Sequence, residues 1–369
     1  MLYRSFHGEQ ISALGMGGMR YPGVNGDENH IDRVAGQRVI DTAIAAGINY
    51  FDSGFTYQGG DSERFLGEAL RKYPRGSYNL ATKFNVGAGP DIEATFAEQL
   101  RRTGVEYFDF YLLHTVMESN FAAYTDPVRD YIGFLRRQKE AGRVRYIGFS
   151  SHAKPDTLRR FLDVFDGWDM ALLQINYLDW LLLDAKTQYE IVTERGIPVW
   201  VMEPQKGGLL TSMQGSAGAM LDAIAPARPR ASLGFRFLQE LPNVVTVLSG
   251  AGDPSLVLEN AATMSSCDPL TASEREAVMT AAAQFIREMG VPCSGCRYCC
   301  DTCPAELNIP ILLQEYNDRR INGDGWRFSK PAGAKDAADC LGCGTCLEKC
   351  PQHIDIPATL RALAEMQKK

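Results

Sequence analysis

Up to about residue 265, short apolar runs alternate with longer segments in which apolar residues recur at helical spacing. This alternation is typical of parallel strands joined by helical crossovers. Eight runs are predicted as strands, at residues 11–18, 48–53, 78–83, 109–114, 145–150, 171–176, 198–203 and 244–249. Helices are predicted over residues 33–46, 62–73, 92–103, 128–141, 155–163, 186–195 and 229–239. Eight strand and helix units in about 250 residues predict an α/β fold of the (β/α)8 TIM-barrel kind.

An open, doubly wound sheet would show the same alternation. The glycine-rich phosphate turn of such a sheet runs directly into a helix. Here Gly15, Gly17 and Gly18 are followed by Arg20 and then by a proline, so the barrel is favoured. After the barrel, residues 271–290 predict one more helix, which begins with a capping box between Thr271 and a glutamate three residues later.

The segment after residue 290 contains one cysteine phrase twice. The phrase is Cys-x2-Cys-x2-Cys-x3-Cys-Pro, and its copies occupy residues 293–304 and 340–351. With this spacing, three thiolates bind one [4Fe-4S] cluster and the fourth binds the other cluster. Disulfides and zinc are the alternatives, but zinc sites usually take four ligands in two pairs. The predicted sets are Cys293, Cys296 and Cys299 with Cys350 (cluster 1), and Cys340, Cys343 and Cys346 with Cys303 (cluster 2).

Two cysteines fall outside these sets. Cys300 breaks the register that both phrases share, so it is predicted to be a spare thiol, and Cys267 has no predicted role. The whole pattern predicts a barrel over residues 1–265, a linker helix over 266–290 and a ferredoxin-like domain over 291–369. That domain should be mostly helical, with a helix at residues 309–320 in the long segment between the two phrases.

Composition narrows the class of protein. The chain has 369 residues, 38 Lys and Arg against 45 Asp and Glu, and a formal net charge of -7. Because the basic residues are scattered, nucleic-acid binding is not expected. The sequence shows neither a secretory leader nor a long apolar stretch, so no membrane partner is expected. Cluster-binding thiolates also favour a reducing compartment, and we therefore expect a cytoplasmic protein.

Three predicted strands end in polar residues where apolar ones would be expected. Asp52 follows the second strand, Lys83 the third and His114 the fourth, while Tyr57 lies five residues beyond Asp52. The C-terminal ends of barrel strands are where active sites are built. Each residue alone also has a structural explanation, since Asp52 could cap a loop, Tyr57 could be a packing residue and His114 could be a rim residue with satisfied hydrogen bonds.

These four residues suit carbonyl reduction when they are taken together. Hydride addition needs a proton for the developing alkoxide, and a free phenol, with a pKa near ~10, releases one reluctantly. We predict Tyr57 as the general acid and Lys83 as the cation that lowers its pKa. Asp52 would orient Lys83, and His114 would polarise the substrate carbonyl.

The constellation resembles the aldo-keto reductase superfamily, and with the cysteine-rich tail it resembles the iron-sulfur branch of that superfamily. The resemblance covers roughly residues 1–265. It is carried by the stretches 49–57, 62–67, 81–83, 109–114, 148–151 and 174–177, with Glu259 and Asn260. It implies a nicotinamide-dependent oxidoreductase on a barrel fold.

The resemblance also implies coenzyme contacts. It assigns Ser150 or Ser151 and Gln174 to the nicotinamide carboxamide, and Glu259 with Asn260 to the adenine. Met202 stands where many members place a tyrosine that stacks on the nicotinamide, so an apolar cover remains but the aromatic contact is lost.

Coenzyme choice depends on the residues that face a 2'-phosphate. Where NADP-selective members carry a Lys, a Ser and an Arg, this chain has Gly250, Ala251 and Leu256, so NADH is favoured over NADPH. Arg228 and Arg230 could replace the missing charges if they fold over the adenosine.

Three functions are compatible with these residues. The first is an enzyme that interconverts a small carbonyl compound and its alcohol with NADH or NADPH. The second is an electron-transfer protein, whose clusters pass single electrons between a redox partner protein and the barrel. The third is a barrel that only binds ligands, against which the intact tetrad argues. Nicotinamides transfer two electrons as hydride whereas each cluster passes one, so the first is favoured.

Overall fold

The computed structural model describes residues 1–88, 91–224, 226–322 and 333–368. Residues 323–332, which belong to the predicted ferredoxin-like domain, lie outside the described residues. The predicted barrel is confirmed: eight parallel strands form a closed ring, in which the first strand pairs with the second and with the eighth. The strands are Leu14–Gly17, Tyr50–Asp52, Asn79–Phe84, Phe108–Val116, Val144–Ser151, Met170–Gln174, Val199–Met202 and Val244–Ser249.

The first predicted strand, residues 11–18, spans two different elements. Residues Tyr3–Phe6 and Glu9–Ser12 form an antiparallel hairpin, and the barrel strand starts only at Leu14. Phe6 and Ile11 of the hairpin are buried against aromatic side chains of the barrel interior, and Phe6 meets Trp200 at a ring-centroid distance of 4.8 Å. The hairpin closes the N-terminal end of the barrel, so its buried residues are apolar like those of the strand that follows. The predicted strand therefore included part of the hairpin.

Helices surround the ring of strands. The helix at Tyr131–Glu140 begins three residues after its predicted start, because Asp130 takes a left-handed φ of 46° and accepts a hydrogen bond from the backbone of Gly133. The helix at Asp61–Leu70 ends before its predicted end at residue 73. The α-helices up to the end of the barrel are Arg33–Ala45, Asp61–Leu70, Ile92–Thr103, Phe121–Tyr124, Tyr131–Glu140, Pro155–Val164, Asp179–Leu182, Ala185–Glu194, Leu209–Ser212, Gly215–Ile224, Ala231–Gln239 and Pro254–Thr263. Single 3-10 turns lie at Tyr57–Gly60, Arg75–Ser77 and Lys206–Gly208.

The helix Ala272–Glu288 begins with the predicted capping box between Thr271 and Glu274. Its apolar face, including Val278 and Phe285, belongs to the same buried cluster as the helices around the barrel. Arg236 also donates to Glu274 at 2.7 Å. The helix predicted as a linker therefore packs along the barrel.

The cysteine-rich region has an apolar core of its own. Its helices are Ile309–Asn322 and Ile356–Gln367, with a 3-10 turn at Ala337–Asp339. Leu312, Leu313, Ile354 and Leu360 pack around the cysteines in a cluster separate from the barrel cores. This arrangement confirms the mostly helical C-terminal domain. No helix in the described part of the chain is long and apolar enough to cross a membrane.

Candidate active site and cluster sites

The four tetrad residues lie together at the C-terminal end of the barrel. Asp52 is the last residue of the second strand, Lys83 lies in the third and His114 in the fourth. Tyr57 begins the 3-10 turn that follows the second strand. Adjacent parallel strands deliver the first three side chains to one edge, and the turn places the phenol above them.

Lys83 is fully buried, and its hydrogen-bond acceptors belong to the barrel. Its ammonium donates hydrogen bonds to Asp52 Oδ1 and to the backbone carbonyl of Ser53. Burial lowers the pKa of Lys83, and the attraction to Asp52 opposes that shift. The ammonium nitrogen lies 4.9 Å from the centroid of the Tyr57 ring, so it faces the aromatic ring.

The Tyr57 hydroxyl lies 3.3 Å from His114 Nε2. Burial, followed by the positive charge of Lys83, lowers the pKa of His114 well below its usual value, so the imidazole is neutral. Desolvation raises the pKa of Tyr57 well above its usual value, with Tyr298 as the next cause. Desolvation of Tyr57 therefore acts against the effect predicted for Lys83, and the lowering of this pKa by Lys83 stays a prediction. A protonated phenol and a neutral imidazole face the same space.

A residue that we did not predict contacts this pair. Tyr298, which lies between Cys296 and Cys299, places its hydroxyl 3.4 Å from His114 Nε2. The rings of Tyr298 and His114 meet edge to face at a centroid distance of 6.2 Å. The cluster-binding segment therefore enters the site that the barrel strands form.

Two cavities meet at the tetrad. A groove of about 460 Å³ runs past Asp52 and Tyr57 toward the seventh and eighth strands. A second cavity of about 730 Å³ opens on the other side of Tyr57, toward Phe55 and Asn308. Both cavities share the same five residues, which are Met19, Arg20, Tyr57, Cys296 and Tyr298.

The residues that the resemblance assigns to the coenzyme separate into two groups. Those on the groove wall are Gln174, Met202, Glu259 and Asn260. Ser150 and Ser151 are buried below, where the Ser150 hydroxyl accepts from the backbone of Thr115 at 2.7 Å and the Ser151 hydroxyl accepts from the backbone of Ala153 at 3.1 Å.

The side chain of Gln174 already has protein partners. Its amide forms a reciprocal pair with Gln352, which directly follows the second cysteine phrase, with N–O distances of 3.0 and 2.9 Å. It also donates to Asp179 at 2.7 Å. The carboxamide of Gln352 therefore occupies the position beside Gln174 where the resemblance expects a nicotinamide carboxamide.

A second buried ion pair anchors Gln352. Lys206 Nζ lies 2.6 Å from Asp179 Oδ1 and 2.6 Å from Gln352 Oε1. Both charged side chains are inaccessible to solvent. Tyr298, Gln352 and Lys206 are the site residues that sequence reasoning missed, since the cysteine spacing leaves the residues between and after the ligands undefined.

The positions proposed to face a 2'-phosphate lie on the groove wall, together with Arg230. Arg230 donates to Asp222 Oδ1 at 3.0 Å and to the Met213 carbonyl at 2.7 Å. Arg228 is instead paired with Asp268 on the surface. Gly250, Ala251 and Leu256 bring no positive charge to that wall.

The cluster 1 cysteines lie close to one another beside the groove. Cys296 interacts electrostatically with Cys293 and Cys350, and Cys299 interacts with Cys293 and Cys296. Burial raises the pKa of Cys293 to about 11 and that of Cys296 to about 12. Cysteine side chains grouped in this way suit iron, which binds and stabilises thiolates.

The cluster 2 cysteines surround a cavity of their own. Cys303, Cys340, Cys343 and Cys346 line a space of about 20 Å³ that is otherwise mostly apolar. Among the described residues, no three or more His, Cys, Asp or Glu side chains surround a point that could hold one metal ion. Ligands of a cube bind separate irons and need not converge on one point, so four cysteines around one cavity are compatible with a cluster.

Comparisons with known proteins agree with both halves of this description. The model of the "Aldo/keto reductase family" matches residues 13–279, and the model of a "4Fe-4S dicluster domain" matches residues 292–354.

Individual relatives match the barrel region. "Probable aldo-keto reductase 1" from Glycine max is 34% identical over 164 residues, which is 42% of this chain and 45% of that protein. "NADH-specific methylglyoxal reductase" from Escherichia coli is 26% identical over 309 residues, which is 69% of this chain and 90% of that protein. The solved holo form of aldo-keto reductase AKR11C1 from Bacillus halodurans is 26% identical with a TM-score of 0.64, covering 76% of this chain and 96% of that one.

Proposed function

Because the chain belongs to the aldo/keto reductase family, we propose that it interconverts a small carbonyl compound and its alcohol by hydride transfer with a nicotinamide coenzyme. The observation that carries this proposal is the contact of 3.3 Å between Tyr57 Oη and His114 Nε2 above the buried pair of Lys83 and Asp52. A carbonyl oxygen placed between that hydroxyl and that nitrogen would receive two hydrogen bonds.

The proposed mechanism uses these residues in one step. When it is bound, the coenzyme supplies the hydride that adds to the carbonyl carbon. His114 Nε2 donates to the carbonyl oxygen while negative charge grows there, and Tyr57 transfers its proton to the same oxygen. Lys83 then stabilises the phenolate that remains, and Asp52 holds Lys83 in place.

The groove wall supports a coenzyme site. We propose that Gln174, Met202, Glu259 and Asn260 contact the coenzyme, and that Ser150 and Ser151 shape the floor beneath it. Met202 offers a soft apolar surface to the nicotinamide in place of an aromatic ring. Since Gln352 is paired with Gln174, the nicotinamide carboxamide and Gln352 would compete for the same amide.

We propose NADH as the preferred coenzyme. A 2'-phosphate usually needs an Arg or Lys that makes charge-assisted hydrogen bonds, and Gly250, Ala251 and Leu256 provide none. A relative whose name states NADH specificity supports this choice.

We propose that the eight phrase cysteines bind two [4Fe-4S] clusters in the sets defined above as cluster 1 and cluster 2. The boundaries at residues 265 and 290 are part of the same proposal, although the helix between them packs on the barrel. A reducing, cytoplasmic environment would keep these thiolates available.

Electron relay remains the second candidate function, and one observation favours it. Cys296 of cluster 1 lines the same groove as Asp52 and Tyr57, so a cluster held there would lie next to the coenzyme site. In that function the clusters would exchange single electrons with a redox partner protein. A mediator that accepts both one and two electrons, such as a flavin, would then be required.

Substitution of Tyr57 tests the first function. With anaerobically purified, iron-loaded protein, NADH oxidation by glyceraldehyde should fall by ~10²-fold or more in Tyr57→Phe, because the variant has no transferable proton. Tyr3→Phe is a matched control, since it removes an exposed hydroxyl at the opposite end of the barrel. Full activity in a folded Tyr57→Phe protein would contradict the proposal.

A further inference from the structure

Tyr298 stands opposite the proposed proton donor. Its hydroxyl lies 3.4 Å from His114 Nε2, and the Tyr57 hydroxyl lies 3.3 Å from the same nitrogen. Two phenols from different parts of the chain therefore converge on one imidazole nitrogen. One phenol belongs to the barrel, and the other belongs to the segment that carries the first cysteine phrase.

The position of Tyr298 also divides the space around the site. Its ring forms part of the groove of about 460 Å³ and part of the cavity of about 730 Å³. The wall of the second cavity includes the polar residues Thr56, Asp301 and Asn308. A substrate that enters through this cavity would pass Tyr298 before its reacting carbon reaches Tyr57.

The hydrogen bonds of Tyr298 indicate which polar group such a substrate must carry. A carbonyl oxygen that binds Tyr57 and His114 takes over the nitrogen that Tyr298 now contacts. The Tyr298 hydroxyl then loses this contact in a desolvated site and keeps only its neighbours Tyr57 and Thr115, which is costly unless the substrate supplies a replacement. An oxygen on the carbon next to the carbonyl would lie within reach of it.

We propose that Tyr298 is a substrate-binding residue that selects carbonyl compounds carrying a second oxygen on the adjacent carbon, such as 2-hydroxy aldehydes. This inference rests on the proposed function, and it adds the substrate class. Tyr57 and His114 hold the reacting oxygen, and Tyr298 hydrogen-bonds the neighbouring one. A site built to bind a substrate hydroxyl discriminates strongly against an analogue that lacks it.

The segment around Tyr298 is fixed against the barrel. Arg20 donates to the Ser294 carbonyl at 3.0 Å. The backbone of Gly207 approaches the same carbonyl so closely that a Cβ at residue 207 would lie 1.9 Å from it. Cys296 and Cys299, on either side of Tyr298, are proposed ligands of cluster 1. Binding of cluster 1 would therefore hold Tyr298 in place. The cluster would then have a structural role in substrate binding.

The test compares glyceraldehyde with propanal, which has the same number of carbons and lacks the hydroxyl groups. Iron-loaded wild-type protein should reduce glyceraldehyde with the higher kcat/KM. Tyr298→Phe should lose about 10- to 100-fold of kcat/KM for glyceraldehyde, mainly through KM, and change little for propanal. Tyr316→Phe is the matched control, because Tyr316 lies in the same domain and packs against Gly290 away from both cavities.

Two readouts make the outcomes distinguishable. Titration calorimetry of glyceraldehyde into NAD⁺-saturated protein measures binding without turnover, and Tyr298→Phe should bind at least ~10-fold more weakly with an unchanged iron content. Equal affinity in the two proteins, or a wild type with no preference between the aldehydes, would overturn the inference. A wild type that binds glyceraldehyde through Tyr298 but oxidises NADH with neither aldehyde would contradict the proposed function alone.

Discussion

Two buried lysine–aspartate pairs lie at the mouth of the barrel, on opposite sides of the ring of strands. Lys83 and Asp52 belong to the third and second strands, whereas Lys206 and Asp179 follow the seventh and sixth. Both pairs are almost inaccessible to solvent. They differ in the third group that each lysine contacts.

Lys83 faces Tyr57 of the tetrad, whereas Lys206 contacts the C-terminal domain. The Lys83 ammonium faces the Tyr57 ring, and its remaining bond goes to a carbonyl of the barrel. The Lys206 ammonium instead binds Gln352, which directly follows the second cysteine phrase. In the proposed function, this kind of ion pair would support proton transfer on one side of the barrel, whereas on the other side it binds the C-terminal domain.

The largest effect is expected for Lys83→Met. Removal of one partner leaves Asp52 as an uncompensated buried charge, so the free energy of unfolding should fall by about 3–5 kcal/mol. Carbonyl reduction should fall by at least ~10²-fold. Chemical denaturation and NADH oxidation measure the two losses. The double variant Asp52→Asn, Lys83→Met is the control, because it should recover stability without activity. Recovery of both would contradict the assigned role.

Lys206→Met should destabilise the protein with less effect on turnover. Asp179 keeps amide hydrogen bonds from Gln174 at 2.7 Å and from Asn176 at 2.6 Å, so we expect a loss of about 3 kcal/mol, at the low end for a broken buried pair. Because Lys206 lies away from the reacting oxygen, kcat should change by less than ~10-fold. A loss of kcat as large as in Lys83→Met would remove the distinction between the two pairs.

Cysteine substitutions test the cluster ligands and the docking of the C-terminal domain. We expect about eight irons per chain in two cubes. Cys350→Ser should lose or convert one cube, and it should also weaken the anchoring of Gln352, which follows two residues later. Cys300→Ser, the matched control, should keep both cubes. Iron analysis and electron paramagnetic resonance measure the outcome. Equal iron loss in the two variants, or four irons in the wild type, would contradict the ligand sets.

Coenzyme choice should show the smallest effect. NADH should bind at least as well as NADPH, and Arg230→Ala should change either affinity by less than ~10-fold, because Arg230 is already held by Asp222 and the Met213 carbonyl. Arg228→Ala is the control, since Arg228 pairs with Asp268 on the surface. Fluorescence titration measures both affinities. A clear NADPH preference that disappears in the Arg228→Ala, Arg230→Ala double variant would contradict the NADH assignment and locate the phosphate clamp.

The two sides of the site also differ in what the sequence reveals. Asp52, Lys83 and His114 could be recognised because polar residues at the ends of apolar strands stand out locally. The cysteine phrases could be recognised because cluster geometry imposes their spacing. Tyr298 and Gln352 carry no such signal. Their contacts depend on how the second domain packs on the barrel, and the cluster tolerates many residues at those positions.

The sequence also contains a hairpin signal that the strand and helix predictions did not use. Asn25 and Gly26 form the turn of a short hairpin between Gly23–Val24 and Asp27–Ile31, with φ values of 52° and 82°. An Asn-Gly pair is a strong hairpin signal because both turn positions need positive φ. The pKa of Tyr57 could not be predicted in the same way, since it depends on burial and on the contact with Tyr298, which arise only in the folded structure.

Isotope transfer tests the central claim, hydride transfer at the tetrad, most directly. Iron-loaded protein would reduce glyceraldehyde in ordinary water with NADH that carries deuterium at both hydrogens of the nicotinamide C4. Mass spectrometry of the glycerol should find one deuterium on the new carbinol carbon in each product molecule. Glycerol without deuterium, formed while NADH is oxidised, would contradict the account, because the hydrogen would then come from water and the electrons would have passed through the clusters.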